Sequence, residues 1–386
     1  MPGRSSLNLN SKTRALLHHT LLAIMMILLL ACNKADHEKA IRIGRILPLT
    51  GPAASYGQSE KKGTDLAVEQ INTAGGVQGR KIEILYEDDK CEAKEGVAAM
   101  NKLVDIEQVP IVLGATCSTV TLAIAPIANA NKVVLLSPLS SAAEISKAGP
   151  YVFRVMPSDA FQSNVLAKWI FDCGHKKVGL LYINNAWGVG VKEAFVREFI
   201  RLGGTIVDEE ACSEGDRNFR TQLTKLKAAK ADAFFFPTMP KEGGQLLKQA
   251  KELGLRGPIF GADAWSVKEL TDEAGSAANG VFYTMPAQFE GPGYQEFEKS
   301  FEAKYGQKPD VNAAAAYDAV KIAVFCIESV ITKNLPLTGE NIRTEIERIR
   351  GFRGATGDTT FDQNGDPIGK EFSRMTIENN RRIQLR

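Results

Sequence analysis

The sequence predicts an α/β protein in which mostly parallel sheets are flanked by helices, and three observations support this. Short apolar runs alternate with longer amphipathic segments through most of the 386 residues, which is the pattern of strands linked by helices. Glycine pairs such as Gly75-Gly76 follow amphipathic segments, as glycine commonly does at helix ends. The alternation restarts after Met156-Pro157. We therefore expect two α/β blocks, each with its own sheet, which suits a chain of this length.

The elements of each block follow from this alternation. In the first block we expect strands at 41–47, 81–86, 111–113, 133–136 and 151–155, and helices at 59–74, 94–104 and 120–130. In the second block we expect strands at 177–182, 205–207, 233–236, 259–260 and 281–283, and helices at 160–171, 191–202, 219–229, 243–253 and 266–274. Residues 48–57 and 184–190 are predicted loops. Three later helices, at 294–305, 312–331 and 341–349, must complete a block that has already begun.

Residues 1–31 are predicted to be a secretory leader rather than part of the fold. Arg4, Lys12 and Arg14 precede a largely apolar segment that ends in Leu29-Leu30-Ala31-Cys32, the arrangement of a cleavable signal. This ending resembles the lipobox of bacterial lipoproteins, so we expect Cys32 to be lipidated and 32–40 to be a tether. The alternative is a plain signal peptide that is cut near Ala31. A transmembrane helix is disfavoured because the apolar segment is short.

The net charge excludes one class of function, and the number of cysteines limits the possible disulfides. The formal net charge is +2, of which the leader contributes +3, so the mature chain is near −1. This excludes a strongly basic nucleic-acid or membrane surface. Five cysteines follow Cys32, so at least one stays outside an internal disulfide. Cys91 and Cys117 both follow predicted strands, and we expect them to pair. Cys326 is expected to be a buried thiol, while pairing of Cys173 with Cys212 stays open.

Two polar turns carry the functional signal. Residues 114–119 read G-A-T-C-S-T after one predicted strand, and residues 137–141 read S-P-L-S-S after the next. A helix that begins in such a turn points free N–H groups and the positive end of its dipole at the same place, which favours an anion. Neighbouring strand ends in an open parallel sheet are the usual ligand position. The alternative is that these hydroxyls only cap helices.

The sequence argues against an enzyme and against a metal or cofactor. The mature chain keeps only His37 and His175, and neither lies near the polar turns in sequence. No G-x-S-x-G or P-loop motif is present, and Cys173-Gly174-His175 lacks a second pair of zinc ligands. The acidic residues between 358 and 366 lack the spacing of an EF-hand loop. We therefore expect a non-enzymatic protein that needs no cofactor.

The chain resembles the periplasmic branched-chain amino-acid binding proteins, the leucine/isoleucine/valine receptors of ABC importers with the type I binding-protein fold. The resemblance rests on ordered motifs that together extend over nearly all of 41–386: G-P-A-A-S-Y-G at 51–57, I-N-T-A-G-G-V-Q-G-R-K at 71–81, Y-E-D-D-K-C at 86–91, L-G-A-T-C-S at 113–118, S-P-L-S-S at 137–141, Y-V-F-R-V-M-P-S-D at 151–159, G-G-Q-L-L-K-Q-A at 243–250 and F-D-Q-N-G-D at 361–366.

This resemblance implies two lobes joined by three hinge crossovers, with the ligand in the cleft between them. The crossovers are expected near Met156-Pro157, near Met285-Pro286 and in the glycine-rich residues 354–357. The first lobe would then comprise 41–156 plus 286–355. The second lobe would comprise 157–285 plus 356–386.

The resemblance also assigns roles to individual residues. Ser118 and Ser141 match residues that hold the ligand carboxylate, and Leu139 matches a residue whose carbonyl accepts from the α-ammonium group. Asp263 lies where the family has an acid that pairs with the ammonium, although aspartate is one methylene shorter than the family's glutamate. We therefore expect a zwitterionic ligand.

Three further positions match residues around the ligand side chain. Tyr56 matches a loop tyrosine, while Trp187 and Met239 replace family tyrosines. Each could instead serve core packing. With Leu139 they make an apolar pocket, so a branched-chain or other apolar amino acid is the expected ligand.

The sequence thus predicts a lipid-anchored binding protein of the periplasm or cell envelope. We expect it to be a monomer that captures an amino acid and delivers it to an ABC permease in the inner membrane. The alternative is a sensor that uses the same fold for amides, small acids or another amino acid.

Overall fold

The computed structural model describes residues 40–286 and 291–385. The predicted leader, the lipidation site Cys32 and the tether up to residue 39 lie outside these ranges and stay predictions. Within the described ranges, no helix combines the length and the apolar character needed to cross a membrane.

Five short strands form the first sheet: β1 (Ile41–Leu47), β2 (Ile82–Asp88), β3 (Ile111–Leu113), β4 (Val134–Ser137) and β5 (Val152–Arg154). All are parallel, in the order β2-β1-β3-β4-β5. The helices that link them are α1 (Ala54–Thr73), α2 (Ala93–Asn101, extended by a π-helical turn over Lys102–Ile106) and α3 (Ser118–Asn131). This is the predicted alternation of the first block.

The inner strands β3 and β4 of this sheet are buried on both faces because helices cover both faces. In β3, Ile111 and Leu113 pack into one core cluster, whereas Val112 between them packs into the cluster on the opposite face. Leu135 of β4 points in the same direction as Val112. This period of two is the geometry of a strand.

The second sheet repeats the plan. Its parallel strands are β6 (Lys177–Ile183), β7 (Thr205–Cys212), β8 (Ala233–Phe235), β9 (Ile259–Gly261) and β10 (Phe282–Pro286). The helices of this part are α4 (Asp159–Asp172), α5 (Ala186–Arg201), α6 (Arg220–Ala228), α7 (Pro240–Glu252) and α8 (Lys268–Ala274). Helix α5 begins inside the loop that was predicted for 184–190, so Trp187 is a helical residue.

The C-terminal part of the chain is divided between the two sheets. Helices α9 (Pro292–Tyr305), α10 (Val311–Thr332) and α11 (Gly339–Glu347) precede a small antiparallel sheet of β11 (Phe352–Gly354), β12 (Gly357–Phe361) and β13 (Pro367–Ile368). Helices α10 and α11 and strand β12 pack into the core of the first sheet. Strands β14 (Phe372–Glu378) and β15 (Arg381–Leu385) then extend the second sheet antiparallel beside β10. We call the first sheet, with the elements that pack on it, the first lobe. We call the second sheet, with its helices, the second lobe.

The third crossover differs from the prediction. Gly354 and Gly357 are paired in the β11–β12 hairpin, and the backbone N–H groups of Ala355 and Thr356 donate to Asp318 of α10 at 2.7 Å each. This segment therefore belongs to the first lobe, and the chain passes to the second lobe between Ile368 and Phe372. The glycines indicated a linker, but Gly357 serves a turn, with a φ of 81°. The other lobe boundaries drawn from the sequence stay predictions.

The strand order positions the site. In the first sheet the order reverses between β1 and β3, and in the second sheet it reverses between β6 and β8. Ligands of open α/β sheets bind beyond the carboxyl ends of the strands at such a point. Tyr56 follows β1 and Ser118 follows β3, while Trp187 follows β6 and Met239 follows β8. The two lobes thus bring equivalent strand ends to one cleft.

Candidate functional site

A cavity of about 120 Å³ lies between the lobes. Its walls include all seven residues that the sequence predicted as ligand-binding: Tyr56, Ser118, Leu139, Ser141, Trp187, Met239 and Asp263. They come from separate strand ends in both lobes. The volume is small compared with the roughly 300–1,000 Å³ of sites for drug-sized ligands, so the cavity suits a small solute.

The first wall is the N-terminus of α3. Thr116, Cys117, Ser118 and Thr119 all border the cavity, and α3 begins at Ser118. Among the described residues, no group accepts a hydrogen bond from the backbone N–H of Ser118 or Thr119. The Ser118 hydroxyl accepts from the N–H of Ala142 at 3.2 Å, which leaves its proton free to donate. These groups and the helix dipole make this side of the cavity electrostatically favourable for an anion.

The backbone between β3 and α3 passes close to β1, which explains why a glycine occupies position 114. Gly114 has a φ of 153°, and a Cβ at this position would lie 2.6 Å from the backbone oxygen of Ile46 in β1. Only glycine lets the chain leave β3 so near to β1. This approach is what carries the start of α3 to the centre of the cleft.

In the turn after β4, two serines stabilise the turn and a third lines the cavity. Ser137 and Ser140 are buried, and their hydroxyls donate to the carbonyl of Ala115 at 2.7 and 3.0 Å. They tie this turn to the start of α3. Leu139 and Ser141 line the cavity instead. Neither hydroxyl caps a helix, because both donate to a carbonyl rather than accept from an N–H at a helix start. The two predicted site residues of this turn are the ones that line the cavity.

The acidic wall comes from the second lobe. Asp263 lies in the short 3-10 turn after β9 and keeps part of its surface open to the cavity. Its Oδ1 is buried and has no hydrogen-bond partner within the described part of the chain. Burial raises the pKa of Asp263 to about 6, although Gln162 and the N–H of Ala264 counteract this. A buried carboxylate without a partner favours a cation beside it.

The three predicted side-chain residues lie on different elements. Tyr56 is in the first turn of α1, Trp187 is in the first turn of α5, and Met239 is the residue before α7. Trp187 is only 7% exposed and belongs to the core of the second lobe, and Met239 packs against the same core. Both residues also line the cavity. Packing and cavity lining are therefore not alternatives at these two positions.

Contacts between the lobes close the cleft at its mouth. The Tyr56 hydroxyl donates to the carbonyl of Ala264 at 3.3 Å, and the Ser55 hydroxyl donates to Glu269 at 2.8 Å. Lys241 of the second lobe donates to the carbonyl of Pro52 at 3.4 Å. Burial and the nearby carboxylates of Asp263 and Glu269 raise the pKa of Tyr56, so its phenol keeps the proton that it donates. These contacts bridge the two lobes beside the cavity.

The predicted disulfide is present. Cys91 and Cys117 are joined, with a Cα–Cα distance of 5.6 Å, and both line the cavity. The bridge ties the loop after β2 to the start of α3. Cys326 and Cys212 are buried free thiols, whereas the free Cys173 is exposed. Cys173 and Cys212 do not pair.

The cavity also contains residues that the sequence did not single out. Lys90, Met156, Glu242 and Asn312 line it, and Oε1 of Glu242 accepts from the N–H of Gly215 at 2.7 Å. The position of Lys90 beside a predicted disulfide could have pointed to it, but no local pattern marks Asn312. In the described ranges, no group of three or more His, Cys, Asp or Glu residues is arranged to hold a metal ion.

Sequence comparison places this geometry in a family. Residues 40–379 match the model of the periplasmic binding protein family. The chain is 32% identical over 339 residues to the leucine-, isoleucine-, valine-, threonine- and alanine-binding protein of Pseudomonas aeruginosa, with 86% of this chain and 88% of that protein covered.

Solved structures agree with the sequence comparison. The leucine-binding protein LivK of Thermotoga maritima superposes with a TM-score of 0.83 at 27% identity, over 90% of this chain and 98% of LivK. The branched-chain amino-acid binding protein LivJ of Streptococcus pneumoniae, in complex with isoleucine, superposes with a TM-score of 0.82 at 28% identity, over 90% of this chain and 100% of LivJ. The chain belongs to the periplasmic binding protein family, and its two-lobe fold is that of the branched-chain amino-acid receptors of ABC importers.

Proposed function

We propose that this protein captures an amino acid with a branched-chain or other apolar side chain and delivers it to an ABC permease. The observation that carries the proposal is that hydrogen-bond donors border one side of the cavity and a buried acid borders the other. Free hydroxyl and N–H donors at the start of α3 face the cavity from the first lobe, and Asp263, whose Oδ1 has no hydrogen-bond partner among the described residues, faces it from the second lobe. A ligand with both a carboxylate and an ammonium group satisfies both walls.

In this proposal the ligand carboxylate lies at the start of α3. The hydroxyls of Ser118 and Ser141 and the N–H groups of Ser118 and Thr119 are its donors. These groups belong to the first lobe, so the carboxylate can bind there before the lobes close. Closure then removes water from the site, which strengthens each charged hydrogen bond.

The ammonium group is proposed to lie between the carbonyl of Leu139 in the first lobe and the carboxylate of Asp263 in the second. An ammonium group between these positions links the two lobes, because each lobe supplies only part of its acceptors. The ligand therefore stabilises the closed form by its differential contacts. This coupling is what a receptor needs in order to signal occupancy to a permease.

The ligand side chain is proposed to occupy the part of the cavity bordered by Tyr56, Trp187 and Met239, with Met156 and Val311 adding apolar surface. The P. aeruginosa relative is named for binding leucine, isoleucine, valine, threonine and alanine, and the solved LivJ complex contains isoleucine. Both support an aliphatic ligand for this chain.

A binding screen tests the proposal. Residues 33–386 are unfolded and refolded to remove bound ligand, and the melting temperature is then measured with each of the twenty amino acids, small amides and short carboxylic acids. Ligand at 100 times its Kd adds about 2.7 kcal/mol to the free energy of unfolding. Stabilisation by leucine, isoleucine or valine would support the proposal. Stabilisation only by amides or acids would replace it with the sensor alternative.

The proposed place in the cell is the periplasm or cell envelope, where a lipid on Cys32 anchors the protein to a membrane. We propose a monomer that meets its permease through both lobes in the closed form. Labelling of cells with a radioactive fatty acid tests the anchor. Wild-type protein should carry the label and Cys32→Ser should not.

A further inference from the structure

A second buried carboxylate lies behind the cavity wall. Asp159 is the first residue of α4, directly after the first crossover, and its side chain has no exposed surface. Both of its carboxylate oxygens are buried without a hydrogen-bond partner in the described residues. The backbone N–H of Asp159 donates to the carbonyl of Ser141 at 2.8 Å, so this acid is attached to the first-lobe turn that holds a predicted carboxylate donor.

The groups around Asp159 are those of the candidate site. The side chains of Ser141 and Trp187 face its carboxylate but form no hydrogen bond of ordinary geometry with it. Asp263 is close enough to act on it electrostatically. Ser141, Trp187 and Asp263 all line the cavity. Asp159 thus lies one layer behind three cavity residues.

No cation within the described ranges neutralises this acid directly. Arg154 of β5 is the cation that acts on it, but each of its side-chain nitrogens is engaged elsewhere. Nε pairs with Asp366 at 2.7 Å, one terminal nitrogen donates to the carbonyl of Ala142 at 2.7 Å, and the other donates to Ser146 at 2.8 Å. Asp159 and Asp263 are therefore two buried acids with a shortage of positive charge between them.

We propose that Asp159 is a positioning residue for the ligand ammonium group and forms, with Asp263, a two-carboxylate counter-charge for it. Asp263 contacts the ammonium, while Asp159 acts through Ser141, Trp187 and Asp263. This inference rests on the proposed capture of an amino acid and deepens it, because it makes a full positive charge a requirement of the site. The ligand class is then primary-ammonium carboxylates, and hydroxy acids of the same shape are excluded.

The protonation of the pair supports this assignment. Burial raises the pKa of Asp159, and the neighbouring Asp263 raises it further, while Ser141 and Arg154 counteract the effect. Tyr56 also lies close enough to Asp263 for this acid to raise its pKa. Two interacting carboxyl groups in a buried site retain a proton to higher pH than an isolated carboxyl group does. An arriving ammonium group replaces that proton, so binding should release protons at a pH near 7.

The test compares L-leucine with its 2-hydroxy analogue, (S)-2-hydroxy-4-methylpentanoate, by isothermal titration calorimetry. Wild-type protein should prefer leucine by at least about 100-fold, because the analogue leaves buried acids unpaired. Titrations in phosphate and in Tris give the protons released per leucine from the difference in apparent enthalpy. We expect a measurable release for the wild type, up to about one proton.

The decisive variant is Asp159→Asn, and Asp172→Asn on the exposed end of α4 is its matched control. Asp159→Asn should weaken leucine binding about tenfold or more. It should also shrink the preference for leucine over the hydroxy analogue about tenfold and reduce the proton release. The control should change none of these values. If Asp159→Asn does not fold, Asp159→Glu, which retains the charge but displaces it by one methylene, is measured for the same preference.

The outcomes separate this inference from the proposed function. If leucine binds the wild type but the variant weakens both ligands equally, or neither, Asp159 is only structural and the inference is overturned. If the wild type binds neither leucine nor any other amino acid, the proposed function fails, and the inference fails with it.

Discussion

Tyr56 of the first lobe donates its phenolic hydrogen to the carbonyl of Ala264 in the second lobe at 3.3 Å. The two residues are 208 positions apart in the chain, and Ala264 is the neighbour of Asp263. The bond joins the two lobes, so opening of the cleft would break it. It therefore connects closure directly to the segment that carries the acidic wall.

We expect Tyr56→Phe to weaken ligand binding roughly two- to tenfold, because a hydrogen bond that stabilises the closed form by about 0.5–1.5 kcal/mol is lost. The ring still lines the cavity, so the set of ligands should not change. Calorimetric titration measures the Kd. Tyr305→Phe is the control, since its hydroxyl donates to the carbonyl of Lys62 within the first lobe, away from the cleft. Equal affinities of Tyr56→Phe and wild type would show that this bond does not contribute to closure.

Ser118→Ala should weaken binding by about tenfold or more, because a hydrogen bond to a charged group contributes about 1.5–3 kcal/mol. The loss should be similar for every amino acid, since all share the carboxylate. Titration with leucine and with alanine checks this uniformity. Ser163→Ala serves as a control: Ser163 donates to the carbonyl of Val191 in the second lobe and does not line the cavity. A loss that depended on the ligand side chain would contradict the assignment of Ser118 to the carboxylate.

Asp263→Asn should lose affinity by more than about 1.4 kcal/mol, a factor of ten, and yet stabilise the ligand-free protein at neutral pH. Burial raises the pKa of Asp263 to about 6, against about 3.9 in an unfolded chain. Between these pH values the folded protein binds more protons than the unfolded chain, so this residue's contribution to stability falls as the pH rises from about 4 to 6. Asparagine does not titrate and escapes this loss.

Urea unfolding of ligand-free wild type and Asp263→Asn at pH 4, 5.5 and 7 measures the effect. The stability of the variant relative to wild type should increase across this series by about 1–2 kcal/mol. A difference that does not change with pH would mean that Asp263 is ionised with an ordinary pKa and is solvated in the open cleft.

Reduction of the Cys91–Cys117 disulfide should destabilise the protein and impair binding together, because the bridge closes a loop of 26 residues and both cysteines line the cavity. A bridge of this length contributes about 2–4 kcal/mol. Thermal melts and leucine titrations of Cys91→Ser/Cys117→Ser measure both effects. Cys173→Ser, which removes an exposed free thiol, should match the wild type. Unchanged binding in the double variant would limit the bridge to a stabilising role.

The sequence could indicate which first-lobe residues border the cavity because the signals there are local. A strand, a small polar turn and a helix start are adjacent in the chain around Ser118, and the same order recurs around Ser141. Hydrophobic period and turn chemistry depend on neighbouring residues, so they can be interpreted without the fold. Helix ends were less certain, as Trp187 shows: its short polar segment indicated a loop, but Asn185 caps a helix there by accepting from the N–H of Gly188 at 2.8 Å.

By itself the sequence determined the alternating α/β architecture, the two blocks, the Cys91–Cys117 pairing and seven of the residues that border the cavity. Tertiary structure alone decided the passage from Ile368 to Phe372, the closing contact of Tyr56 with Ala264 and the isolation of Asp159 among cavity residues. The physical reason is how far apart in the chain the interacting residues lie. Periodicity and turns are properties of a few consecutive residues, whereas burial and charge balance depend on groups that come together only after both lobes have folded.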